Sequence, residues 1–178
     1  MTRAAVASVL LFGAVASADE PVRATHQVFG LFAPDRVADL KVAAEELPGV
    51  KVIEVNFELA EATFEYDQKA VFGAAKPDQL VKLFDSRLRT VSQSTFGIKP
   101  GRSLPADKLE RVEIAVAGLD CKACSFAAYE IVAKLDGVER ATASFREGRV
   151  TAMIDPAKTD RAKLEDALKK RNVVVKPR

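Results

Sequence analysis

Tryptophan is absent from the 178-residue chain, histidine occurs once, and cysteine, methionine and tyrosine occur twice each. A single histidine, His26, excludes a zinc site built from several imidazoles. No Ser-His triad and no glycine-rich phosphate loop can be assembled from the residues present, and nothing in the spacing of the carboxylates pairs them for acid–base work. After the leader described below the only methionine is Met153, so there is no methionine-rich tract. The formal net charge is +2, too weak an imbalance to recruit nucleic acid or an anionic membrane surface. Hydrophobic residues make up 48% and charged residues 29%, ordinary proportions for a soluble globular protein of one or two small domains.

Long apolar runs are also missing, with one exception at the start. "MTRAAVASVLLFGAVASADE" carries Arg3, then an apolar run from Ala4 to Ala16, then Ala16-Ser17-Ala18, an A-x-A cleavage pattern. The expectation is a signal peptide over 1–18, a mature chain from Asp19, and export to a periplasm or to the exterior. The run is shorter than the roughly 20 residues a membrane-spanning helix needs. No cysteine follows it to take a lipid, and no second apolar run exists to insert the mature chain into a membrane.

What the chain does contain is a repeat. Displaced by 88 positions, "GLFAPDRVADLKVAAEELPGVKVIEVNFELAEATFEYD" at 30–67 lies without a gap on "GLDCKACSFAAYEIVAKLDGVERATASFREGRVTAMID" at 118–155. Gly30 meets Gly118, Leu47 meets Leu135, Gly49-Val50 meets Gly137-Val138, Phe57 meets Phe145 and Asp67 meets Asp155. Turn glycines and apolar positions dominate the matches, as two copies of one fold require.

In the second copy Val112, Ile114 and Val116 alternate as in a half-buried strand. Gly118 to Lys122 makes a loop. Ala127, Ala128, Ile131, Val132 and Leu135 form a helical stripe, which Gly137 ends. Strands follow over 138–145 and 150–154, joined through Glu147-Gly148. A helix capped by Thr159 or Asp160 and a short strand at 173–175 complete βαββαβ, the ferredoxin-like order. The first copy predicts a strand at 25–30, a helix at 34–47, strands at 50–58 and 61–67, a helix with Pro77 in its first turn, and a strand near 90–97. "QKAVFGAAK" at 68–76 is about four residues longer than its counterpart. The expected fold class is therefore α+β, two tandem βαββαβ domains at 25–97 and 109–178, joined by a proline- and glycine-containing linker at 98–108.

Both cysteines fall in "GLDCKACS", at Cys121 and Cys124. This loop ends in the first helical turn, where free backbone N–H groups and the helix dipole favour a thiolate. A thiolate is both a metal ligand and a nucleophile, so three readings stay open: a metal grip, thiol–disulfide exchange, and an inert disulfide. Two thiolates can bind Cu(I) or Hg(II) linearly, whereas Zn(II) wants two further ligands. Asp120 could supply one oxygen. Helical spacing turns Cys124 toward the core side and leaves Cys121 more exposed.

The second domain resembles the heavy-metal-associated domain, a βαββαβ module whose first loop reads Gly-Met-x-Cys-x-x-Cys. "GLDCKACS", "LDGVERATASF" and "VTAMID" fall in register with it. Such domains occur in copper chaperones, in metal-transporting P-type ATPases and in the periplasmic mercury-scavenging protein. The resemblance implies a binding protein rather than an enzyme: one metal ion per chain on Cys121 and Cys124, Cu(I) favoured over Hg(II) or Zn(II). The partner it implies is a metal-transporting membrane protein or a second metal-binding domain. Leu119 replaces the family's methionine, and Asp120 is similar to a variant of zinc, cadmium and lead transporters. Lys169-Lys170-Arg171-Asn172-Val173 lacks the usual glycine before the last strand, though Lys170 or Arg171 could offset a bis-thiolate's charge. The first domain carries Ala33 and Arg36 in place of the two cysteines, which leaves it structural support or docking. His26, in its first strand, reads as a packed or surface residue.

Overall fold

The computed structural model describes residues 21–99 and 104–177. The leader expected at 1–18 and the centre of the 98–108 segment lie outside the described residues. The chain folds into two tandem ferredoxin-like βαββαβ domains. In the first, β1 is Val22–Phe29, α1 Arg36–Glu45, β2 Val50–Asn56 and β3 Glu61–Tyr66. These are followed by a short helix α2 at Gln68–Phe72, then α3 at Pro77–Val91 and β4 at Gly97–Lys99. In the second, β5 is Glu110–Ala117, α4 Lys122–Ala133, β6 Val138–Ser144, β7 Arg149–Ile154, α5 Arg161–Lys170 and β8 Val174–Val175. The strand orders are β2-β3-β1-β4 and β6-β7-β5-β8, with antiparallel pairing throughout.

Local chemistry accounts for these boundaries. Gly49 and Gly137, matched by the repeat, both sit at φ +79°, which glycine adopts without a Cβ penalty. Pro77 opens α3, where its missing N–H costs nothing. Asp160, not Thr159, caps α5, accepting the Lys163 N–H at 2.9 Å; Thr159 is buried instead. The longer segment 68–76 holds a short helix: the Asp67 carboxylate caps α2 through the Ala70 N–H at 2.9 Å, and Val71 and Phe72 enter the core. One expectation changes. The strand expected near 90–97 is helix as far as Val91, then a turn, and only Gly97–Lys99 pair with β1.

The two domains pack through the loop after β1. Phe29 and Phe32 are 2% and 5% exposed, and both belong to the apolar core of the second domain rather than the first. Their rings lie 5.1 and 5.7 Å from Tyr129. Burying each phenylalanine stabilises by about 1.5–3 kcal/mol relative to exposure. Hydrogen bonds fix the register of the two surfaces. Gly30 N–H donates to Tyr129 Oη at 2.7 Å, Ala143 N–H to Phe32 O at 3.1 Å, Gln27 Nε2 to Glu139 O at 3.0 Å and Lys99 Nζ to Ala133 O at 2.9 Å. Arg140 donates to Phe57 O at 2.7 Å with its guanidinium 4.7 Å from the Phe57 ring centre. Since β6 is an edge strand, this contact also occupies backbone groups that would otherwise offer a template for pairing.

Candidate metal centre

The chain leaves β5 at Ala117 and turns at Gly118, whose φ is +78°. Leu119 is buried and anchors the loop in the core. Cys121 is the N-cap of α4 and takes the part usually played by serine or aspartate. Its backbone is extended (φ −150°, ψ 166°), and its Sγ accepts the Cys124 N–H at 3.2 Å. The helix start thus holds one sulfur against free N–H groups. Cys121 is exposed and Cys124 half-buried, the order that helical spacing predicted. Both are free thiols.

The sulfurs differ in acidity. The Cys124 side-chain hydrogen bond lowers the Cys121 pKa first, with the Cys124 and Ala123 N–H groups adding to it and the charge of Asp120 opposing. The same thiol–thiol hydrogen bond raises Cys124, as do burial and the Cys121 charge. These influences favour negative charge on Cys121 over Cys124.

Asp120 is exposed, and its charge acts on Cys121. Among the described residues no group of three His, Cys, Asp or Glu side chains is placed to hold a metal. Lys170 and Arg171 line a groove between α4 and α5 with Glu130 and Ile131. Lys122, which separates the two cysteines, turns to the first domain: its ammonium lies 2.5 Å from Asp35 Oδ2. That hydrogen bond is the largest influence holding the Asp35 carboxyl below the usual range.

The matching loop of the first domain is closed in a different way. Arg36, at the position of Cys124, pairs with Asp39 and lays its guanidinium 5.4 and 5.3 Å from the Phe32 and Phe96 ring centres. Gly30 is required there: at φ +102° a Cβ would stand 2.2 Å from the Thr95 carbonyl oxygen. His26 packs on Phe64 and Phe84, with ring centres 6.2 and 5.7 Å away, and its Nε2 is buried without a partner. The residue is half-buried, and burial lowers its pKa, which favours the neutral imidazole. Sequence reasoning did not find Asp35 or Tyr129. Both act across the domain contact, 87 and 99 residues from their partners, where no local pattern signals them.

No family model matches the chain, and no curated protein matches it. Solved structures do. Oxidized MerP from Ralstonia metallidurans CH34 is 25% identical, with 38% of this chain and 94% of that one covered and a TM-score of 0.37. The CopZ metallochaperone is 24% identical over 38% of this chain and 100% of its own, with a TM-score of 0.37. The N-terminal soluble domains of Bacillus subtilis CopA are 20% identical over 88% of this chain and 93% of theirs, with a TM-score of 0.36.

Proposed function

We propose that this protein is an exported carrier or scavenger of one soft metal ion, held by the thiolates of Cys121 and Cys124. Cu(I) is the favoured cargo and Hg(II) the next. One observation supports the reading most: two free thiols on the exposed loop of a βαββαβ domain, one of them capping the helix and accepting the backbone N–H of the other. Two sulfurs suit an ion content with linear coordination. Zn(II) would need two more donors, and the loop assembles no third. A partner that presents its own thiols, such as a metal-transporting membrane protein or another metal-binding domain, could take the ion through the exposed Cys121. The first domain supports the second and carries no ion of its own.

The test is a titration of the reduced, oxygen-free chain with Cu(I), Hg(II) and Zn(II) against competing chelators, with stoichiometry read by native mass spectrometry. One ion per chain, lost in Cys121→Ser/Cys124→Ser, is the expected result. Binding unaffected by the double substitution, or absent for all three ions, would remove the carrier reading. The lowered Cys121 pKa also suits thiol–disulfide exchange. A reduction potential in the oxidising range together with no metal binding would favour that reading, and a very negative one an inert bridge.

A further inference from the structure

The first domain has no thiol, yet it reaches the thiol loop through one charged pair. Asp35 Oδ2 and Lys122 Nζ are 2.5 Å apart. Lys122 is the only cation in the loop 118–125 and stands between the two cysteines in sequence. Asp35 is not free to follow it. Its neighbours are tied down on both sides: Phe32 O accepts the Ala143 N–H, Gly30 N–H donates to Tyr129, and Arg36 is packed on the Phe32 and Phe96 rings. Asp35 is thus presented to Lys122 from a fixed surface. The pair keeps room to open, with the Lys122 and Asp35 side chains 64% and 49% exposed, beside an interdomain cleft of about 650 Å³ that both residues line.

We infer that Asp35 is a positioning residue, by which the cysteine-free domain weakens the hold of the thiol pair on its ion. This rests on the metal-binding reading above. Two thiolates around a monovalent ion carry one net negative charge, and a cation in the same loop would stabilise that complex. Asp35 keeps the loop's one cation on the neighbouring domain. Release of Lys122 therefore tightens binding, and its retention keeps the ion transferable. Solvent screens an exposed pair of this kind, so the effect is modest, about two- to fivefold in the dissociation constant.

The experiment compares the full chain with Asp35→Asn, Asp35→Glu, Lys122→Gln and Asp35→Asn/Lys122→Gln. Cu(I) is buffered by a competing chelator at low and high salt. Asp35→Asn is expected to lower the dissociation constant about two- to fivefold, less at high salt, with Asp35→Glu like the parent and no effect of Asp35→Asn on the Lys122→Gln background. A second readout needs no metal. The rate of an anionic aromatic disulfide with the thiols, divided by the rate of neutral iodoacetamide, should rise in Asp35→Asn only when Lys122 is present. An unchanged dissociation constant together with an unchanged rate ratio would overturn the inference. So would an equal shift on the Lys122→Gln background, which would mean that Asp35 acts by its own charge. If the parent holds no Cu(I) through its cysteines, the function proposed above fails, and the rate ratio alone decides the Asp35–Lys122 link.

Discussion

Tyr129→Phe isolates a single atom of the domain contact. Tyr129 is 4% exposed, and its Oη accepts the N–H of the buried Gly30 at 2.7 Å. Phenylalanine keeps the ring contacts with Phe29, Phe32 and Phe126 and deletes only the acceptor. Gly30 is buried, at φ +102°, where the loop after β1 meets the second domain. A buried donor left without a partner costs about 1–3 kcal/mol. For a chain of this size 1 kcal/mol moves Tm by about 2–4 °C, so a loss of about 2 kcal/mol lowers it by roughly 4–8 °C. The assay is urea unfolding followed by far-UV circular dichroism, with thermal melts alongside. The midpoint should fall while the m-value stays the same, which marks a change in stability rather than in the surface exposed. Because the loop of one domain sits in the core of the other, the loss should appear in one shared transition. A shift below about 0.3 kcal/mol, within the range of surface substitutions, would refute the reasoning.

Gly30→Ala and Gly118→Ala place the same residue at matching points of the repeat and should differ. Gly118 has open space around a new Cβ and bears only the left-handed backbone cost of about 1–2 kcal/mol, whereas Gly30 adds a collision with Thr95, so its urea midpoint should fall further. His26 makes stability pH-dependent in a known direction. Its folded pKa is lowered by burial below the ordinary 6.5, so the unfolded chain binds the proton first. Stability is then complete above pH 6.5 and is lost as pH falls toward the folded value, and His26→Gln should flatten that part of the profile of urea midpoint against pH. Alkylation of the reduced chain at neutral pH, mapped by mass spectrometry, should mark Cys121 before Cys124, because Cys121 is the more exposed and the more acidic of the two. Equal rates would contradict that order.

The repeat carried most of the fold into view, because glycines at turns and period-2 or helical apolar spacing are local signals. α4 shows where that stops. Its sequence stripe runs through Ala127, Ala128, Ile131, Val132 and Leu135. In the structure Ala127 is exposed, Ile131 and Leu135 are half-buried, and Ser125, Tyr129 and Ala133 are buried. The helix has two covered faces, and the second is covered by another domain, which periodicity within one helix cannot register. Phe29 and Phe32 follow the same logic: they look like first-domain core residues and serve the second. The short helix α2 was hidden because five residues give too little periodicity to distinguish from a loop. At the candidate site Cys121 and Cys124 and their order of exposure were legible from helix spacing. Lys122 was not, since the partner that orients it is 87 residues away.

X-ray absorption at the metal edge of the one-equivalent Cu(I) complex tests the central claim most directly, because it reads the atoms around the ion. The account predicts a shell of two sulfurs and no nitrogen or oxygen, abolished in Cys121→Ser/Cys124→Ser. A shell of nitrogen and oxygen donors, or one that survives the double substitution, would contradict it.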